Sequence, residues 1–568
     1  MRRLRTFRSI SLYLILAISL AVLPLRAAQT AGAKTASGVQ QILKYISNGW
    51  GTLTRSMAEC QTYTDPKTNA KSALYVPTGF TISAELKSVE SKCQVPVHHL
   101  PAVIKHLGDI DTGAINPQGL LYLPNPYVVP GGMFNEMYGW DSYFIIRGLV
   151  EDGKLSLARG IIDNFFFELD HYGGVLNANR TYYLTRSQPP FLTSMIRAVY
   201  EAEKAKGQAD PAWLRAAYGH AVKDYRFWTS PPHLAGSTGL SRFYGLGNGP
   251  VPELGSAQMA YYQTAARYFL LHPRGSGAYL QLIPKGKNGQ DVKVMGPEFS
   301  LNLDFRLKKK KSTLQDAVLD KFALTPRFYK GDRSMRESGF DVSFRFGPFG
   351  AGTQNFAAVG LNCLLYKTEE DLAWMSNTLG MKEESRDWIA RAATRRREID
   401  RYLWSSNYGL YYDYDFATGT QSRYSYATTF YPLWTGLATP GQAKEIIKNL
   451  AAFDRPGGIV MSMVNTGAQW DAPYGWAPIQ LIAIEGLRRY GYVSEANGIS
   501  LQFLSMVLQN FRRDGTIFEK YDVDTRTSQT SIQVGYKTNV VGFGWTNGAF
   551  LALYDALPEA AKEQLAQE

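Results

Sequence analysis

The chain is expected to be all-α, a double ring of helices closed into a barrel, with an N-terminal arm and an inserted rim segment. Three observations point there. From about residue 140 onward, amphipathic segments of helical length recur between loops rich in glycine, proline, tyrosine and tryptophan. The segments come in hairpins in which one helix is apolar almost all round and its partner only along a stripe, the pattern of an inner and an outer layer. No fixed period repeats over roughly 430 residues, which argues against a helical solenoid.

Residues 1–27 carry five arginines and no acid, and 10–23 is nearly continuous apolar sequence followed by small residues at Ala27 and Ala28. This pattern predicts a cleaved signal peptide and a periplasmic or secreted protein, the apolar run being short for a membrane span of about 20 residues. Residues 28–110 read as an N-terminal arm and 111–560 as the main domain. The three cysteines, Cys60, Cys93 and Cys363, lack the paired spacing and accompanying histidines of a structural zinc site, so no metal is expected. Cys60 and Cys93 can close an N-terminal loop if their sulfurs meet, which the sequence leaves open. Cys363 lies in the apolar stretch 359–365 and reads as a buried free thiol.

Segments 369–380 and 383–403 predict an α-hairpin, the second placing Trp388, Ala392, Ile399 and Leu403 near one face. Segment 476–490 is apolar at Ile479, Leu481, Ile482 and Ile484 and reads as an inner helix. Segment 497–511, with its stripe of Ile499, Phe503, Met506 and Val507, reads as an outer one. From about 262 to 320 the rhythm breaks into glycine-rich turns, short alternating pieces such as 279–283, and the run Arg306-Leu-Lys-Lys-Lys-Lys-Ser312. Part of it reads as an insertion on the barrel rim, a candidate lid, with a disordered excursion the open alternative. The net charge of +12 owes much to this run and to residues 1–27. Attraction of acidic polymers to the run rests on composition alone; it reads as a solvated loop, and no specific nucleic-acid partner is expected.

Chemistry concentrates in the loops. Pro130-Gly-Gly-Met-Phe-Asn-Glu-Met-Tyr-Gly-Trp-Asp-Ser-Tyr-Phe144 packs five aromatic rings and two carboxylates into fifteen positions. Gln469-Trp-Asp-Ala-Pro-Tyr-Gly-Trp-Ala-Pro-Ile-Gln480 repeats the mixture far away in sequence. A sugar site wants these residues: ring faces stack on the C–H faces of a pyranose, and carboxylates and amides bind its hydroxyls. Both motifs resemble the two signatures of the trehalase family. The similarity continues through Asn177, Arg186-Ser-Gln-Pro-Pro190, Glu337-Ser-Gly-Phe-Asp-Val-Ser343, Phe518-Glu-Lys-Tyr-Asp522 and Gly542-Phe-Gly-Trp-Thr-Asn-Gly548.

The resemblance implies an (α/α)6 barrel and the hydrolysis of α,α-trehalose to two glucoses, with inversion at the attacked anomeric carbon and without metal or organic cofactor. An inverting glycosidase needs an acid for the leaving oxygen and a base for water on the opposite face, about 6.5–9.5 Å apart. The resemblance assigns these roles to Asp341 and Glu519. It places Phe134, Tyr138, Trp140, Asp141, Asn177, Arg186, Gln188, Glu253, Gly339 and Trp470 around the substrate, with Asp471 a further hydroxyl acceptor. The implied partner is a small disaccharide or glycoside, bound by a monomer.

Three positions depart from the family pattern. Met133 and Val251 stand where arginine is usual, and Tyr536 where glutamate is usual. Loss of charged donors to sugar hydroxyls weakens binding, so two alternatives stay open. One is a trehalase-like hydrolase of another α-glucoside, with an altered leaving-group subsite; the other is a non-catalytic sugar-binding protein of the same fold.

Overall fold

The structure is a computed structural model that describes residues 38–66, 70–274, 276–285, 290–302 and 319–567. The segment 1–27 and the lysine run 306–312 lie outside the described residues. After α1 (Gly38–Leu53) and the short α2 (Ala84–Cys93), the chain runs mostly as helix pairs. These are α3 (Asp141–Glu151) with α4 (Leu155–His171) and α5 (Leu192–Ala205) with α6 (Pro211–Trp228). Next, α7 (Gln258–Leu271) and α8 (Pro326–Glu337) flank the rim segment. The pairs resume with α9 (Val359–Thr378) and α10 (Lys382–Tyr402), then α11 (Tyr431–Thr435) and α12 (Pro440–Lys448). Last come α13 (Ala477–Arg489) with α14 (Val493–Asp514) and α15 (Gly544–Asp555) with α16 (Glu559–Gln567).

The first members of the pairs form the inner ring. Helix α3 packs on α5, α5 on α9, α9 on α11, α11 on α13, α13 on α15, and α15 returns to α3, closing an (α/α)6 barrel. Burial follows the sequence pattern: α13 buries Ile479, Leu481, Ile482, Ile484 and Leu487, whereas α10, in the outer layer, buries little beyond Trp388, Ala392, Arg395 and Ile399. Helix α1 packs against α14, α15 and α16, and so completes the outer layer beside α15. Cys60 and Cys93 are joined by a disulfide, Cα to Cα 5.1 Å, and Cys363 is a buried free thiol. Pieces of the rim segment form a three-stranded antiparallel sheet in which Leu319–Leu324 lies between Leu280–Leu282 and Glu298–Asn302.

Local chemistry sets the helix ends. Asp210 caps α6 by accepting from the amides of Ala212 and Trp213 ahead of Pro211, and Thr325 caps α8 ahead of Pro326. Thr439 and Gln442 make a reciprocal capping box on α12. Among the described residues no helix is long and apolar enough to cross a membrane.

The seam between α3 and α15 depends on two facing glycines. A Cβ on Gly548 would lie 1.9 Å from the Phe144 carbonyl oxygen, and one on Gly148 would lie 2.6 Å from the Gly548 Cα. Backbone blocks both, so no side-chain rotation relieves them. Gly548→Ala is therefore expected to destabilise the fold by about 3 kcal/mol. Gly498→Ala, at an exposed position of α14 with nothing within 4 Å, should be neutral or stabilising. Urea titration of the two variants checks the contrast; equal midpoints would show that the inner ring can yield here.

Candidate active site

The N-terminal ends of the inner helices converge on a cavity of about 370 Å³. Asp141 is the first residue of α3, Arg186 and Gln188 precede α5, Trp470 precedes α13, Glu519 comes from the segment leading into α15, and Trp545 is the second residue of α15. Twelve of the thirteen residues expected from sequence line this cavity, Asp471 being the exception: Phe134, Tyr138, Trp140, Asp141, Asn177, Arg186, Gln188, Glu253, Gly339, Asp341, Trp470 and Glu519.

One wall is aromatic. Trp470 stacks on Trp476 with ring centres 3.7 Å apart, and Trp140, Phe340 and Trp545 meet it at an angle. Gly339 has φ +76°, and a Cβ there would press within 2.9 Å of the Trp140 indole, so only glycine lets the segment carrying Asp341 pass this ring. Gln188 accepts from the Trp140 amide at 3.0 Å, which fixes both at the cavity edge.

The polar side is a chain of charges. Arg186 donates to Asn177 Oδ1 at 2.9 Å and to Glu253 Oε1 at 2.5 Å. Burial alone would raise the Glu253 pKa, but the guanidiniums of Arg186 and Arg336 more than offset it and hold the carboxylate below its ordinary range. Arg336, on α8, donates through Nη1 to Asp341 Oδ2 at 3.3 Å and through Nε to buried Asp332, which also accepts from the hydroxyls of Tyr261 and Tyr262. Arg336 Nη2 and Glu253 Oε2 are buried without a hydrogen-bond partner among the described residues. A hydroxyl group, donor and acceptor at once, suits that pair.

The two carboxyls singled out from sequence are set differently. Burial pushes the Asp341 pKa up to about 7, with Arg336 and Arg186 acting against the rise. The Asp341 side chain is 33% exposed, toward the cavity. Glu519 is 1% exposed; burial raises its pKa, while the Lys520 ammonium at 2.7 Å and the Tyr536 hydroxyl act against the rise. Asp141 is pushed well above the usual carboxylate range by burial and by the charge of Glu519.

Two sequence-based readings are corrected. Asp471 is not a sugar contact: it is fully buried and accepts from Ser343 Oγ, the Phe344 amide and Thr466 Oγ1, so its oxygens pin the segment following Asp341. Val251 is not a cavity position either; it is 0% exposed in the apolar cluster with Tyr262, Phe328 and Tyr329, and Arg336 enters from α8 beside Glu253. Arg336, Tyr182, Tyr183, Phe543 and Trp545 line the cavity without having been singled out as sugar-facing. Among the described residues no group of three or more His, Cys, Asp or Glu side chains is placed to hold a metal ion.

A family model described as Trehalase matches residues 37–268 and 289–558. The cytosolic neutral trehalase of Kluyveromyces lactis is 36% identical over 460 residues, 75% of this chain and 56% of that protein. A probable trehalase of Eremothecium gossypii is 35% identical over 473 residues, 78% of this chain and 59% of its own length. The chain thus spans a little more than half the length of these curated relatives. The solved structure of a neutral trehalase from Saccharomyces cerevisiae superposes with a TM-score of 0.72 at 29% identity, over 94% of this chain and 96% of that one. Relatives from Kluyveromyces lactis, Saccharomyces cerevisiae and Neurospora crassa are named cytosolic, which overturns the periplasmic or secreted location and the cleaved signal peptide expected from residues 1–27. That expectation rested on charge and apolar content over a short stretch, which do not by themselves define an export signal.

Proposed function

The chain belongs to the trehalase family, and from that premise we propose that it is an inverting glycoside hydrolase that splits α,α-trehalose, with Asp341 as general acid and Glu519 as general base. The observation that carries this reading is one cavity lined by two carboxyls from separate segments: one is set to hold its proton near neutrality, the other is paired with a buried ammonium. Asp341 gives its proton to the bridging oxygen as the bond from that oxygen to the attacked anomeric carbon breaks. Glu519 takes a proton from the water that attacks from the opposite face. The cycle leaves Asp341 ionised and Glu519 protonated, and exchange with solvent resets both. Arg186, Asn177, Glu253 and Arg336 supply donors and acceptors for sugar hydroxyls, and the tryptophan wall supplies the apolar face.

The pH dependence follows from the two settings. A raised acid pKa means that activity is present while Asp341 is protonated and is lost as pH rises through about 7. Activity is also lost on the acid side as Glu519 takes up a proton. A bell-shaped kcat/KM profile with its alkaline limb near 7 is expected; an alkaline limb absent up to pH 9 would remove Asp341 from its role.

The function is tested by glucose release from trehalose and from a panel of α-glucosides. Trehalose should be the best substrate. Met133 favours a second reading, because it lines the cavity next to Phe134 with a side chain that donates no hydrogen bond. In that case aryl or alkyl α-glucosides outrun trehalose. Release from none of them would overturn the hydrolase assignment.

A further inference from the structure

Glu519 is gripped by more than its place in the chain requires. Its backbone is already fixed: the amide donates to the Val540 carbonyl at 2.9 Å, the carbonyl accepts from Trp545 Nε1 at 3.1 Å, and the adjoining strand Lys520–Asp522 pairs with Tyr474–Trp476. The side chain is then held again on both oxygens. Lys520 Nζ donates to Oε2 at 2.7 Å, and the Tyr536 hydroxyl donates to Oε1. The Lys520 ammonium also lies 3.8 Å from the centre of the Tyr536 ring and 4.9 Å from that of Trp476, so lysine, tyrosine and glutamate close a triangle at the cavity wall.

Tyr536 is itself placed by the segment that holds Asp341. The Gln469 amide donates to the Val534 carbonyl at 3.1 Å, and its side chain donates to the Asp341 carbonyl. A Cβ on Gly535, at φ +130°, would come within 2.7 Å of the same Gln469 side chain, so the chain passes there only as glycine. The groups acting on Glu519 are therefore Lys520 and Tyr536, which favour its charge, and Asp141, which opposes it, while Asp341 lines the same cavity. Tyr536 remains a donor, since burial and the Glu519 charge push its own ionisation well up. A carboxylate has about four lone-pair directions, and two are occupied, which leaves acceptor capacity for a water.

We propose that Tyr536 and Lys520 are positioning residues for the general base, clamping the Glu519 carboxylate so that its unoccupied lone pairs face the attacking water and its charge persists beside two other carboxyls. This rests on the reading of Glu519 as base. A tyrosine that only walls the cavity would affect substrate affinity and leave the ionisation of Glu519 alone.

The test is kcat/KM against pH for the wild type, Tyr536→Phe, Lys520→Met and Glu519→Gln, with circular dichroism melts alongside. Removing one donor to an ionised carboxylate should move the acid limb of Tyr536→Phe upward by about one pH unit, with kcat reduced and KM little changed. Lys520→Met should move it further, because a whole charge is lost. The alkaline limb should stay in place in both. An acid limb of Tyr536→Phe that superimposes on the wild type overturns the proposal while leaving the base assignment standing, provided Glu519→Gln is inactive. An active Glu519→Gln overturns both. If Lys520→Met does not fold, Tyr536→Phe, which lacks a single hydroxyl, decides alone.

Discussion

Asp341→Asn is expected to lower kcat on trehalose by about 10³- to 10⁴-fold with KM little changed, at the upper end of what general acid catalysis contributes. The reason lies in the leaving group. A departing glucose carries away an alkoxide unless a proton arrives as the bond breaks, and asparagine keeps the shape of the side chain without a proton to give. On α-glucosyl fluoride, whose fluoride departs unprotonated, the same variant should lose far less. The fold should survive. Because burial lifts the Asp341 pKa to about 7, its contribution to stability is fully present below the unfolded value near 3.8 and is lost as pH rises through 7. Asparagine has no charge to bury, so at pH 8 the variant should melt at or above the wild-type temperature. A drop in activity with a collapse in melting temperature would point to a structural aspartate instead.

Glu519→Gln is expected to cost a comparable factor, about 10³-fold, but with the opposite pattern in both controls. Water still has to be activated when fluoride leaves, so α-glucosyl fluoride should not restore the rate. Stability should fall, because Lys520 is 0% exposed and loses the carboxylate that it contacts at 2.7 Å. Removing one partner of a buried pair costs about 3–5 kcal/mol, less if the ammonium gives up its proton. Burial already lowers the Lys520 pKa, which makes that escape accessible. Measuring both variants on both substrates separates acid from base without relying on either alone.

What could be read from the sequence was whatever hydrophobic periodicity or a long motif carries. The inner helix Ala477–Arg489 and its outer partner Val493–Asp514 bury their apolar residues, which is why their spacing disclosed the two layers. The tryptophan-rich loops disclosed the site because a sugar pocket needs that unusual mixture. Helix α8 escaped for the converse reason. Besides Phe328, Tyr329 and Met335 it buries Asp332, Arg333, Ser334, Arg336 and Glu337, so polar residues fill most of its buried positions, and periodicity is blind to a helix held largely by hydrogen bonds and ion pairs. With it went Arg336, which only the folded chain brings beside Glu253 and Asp341. Asp471 was misjudged because a motif shows which residues travel together and not which way each points. Tyr536 read as the loss of a charged group; its contact with Glu519 depends on a loop closing over sixteen intervening positions.

The first-formed glucose anomers, followed by proton NMR before mutarotation, test the central claim most directly. Water attacking one anomeric carbon of α,α-trehalose with inversion yields β-glucose, while the departing half keeps its configuration and appears as α-glucose. The account predicts equal amounts of the two at the earliest times. Appearance of α-glucose alone would mean retention at the attacked carbon, and would contradict the division of labour between Asp341 and Glu519.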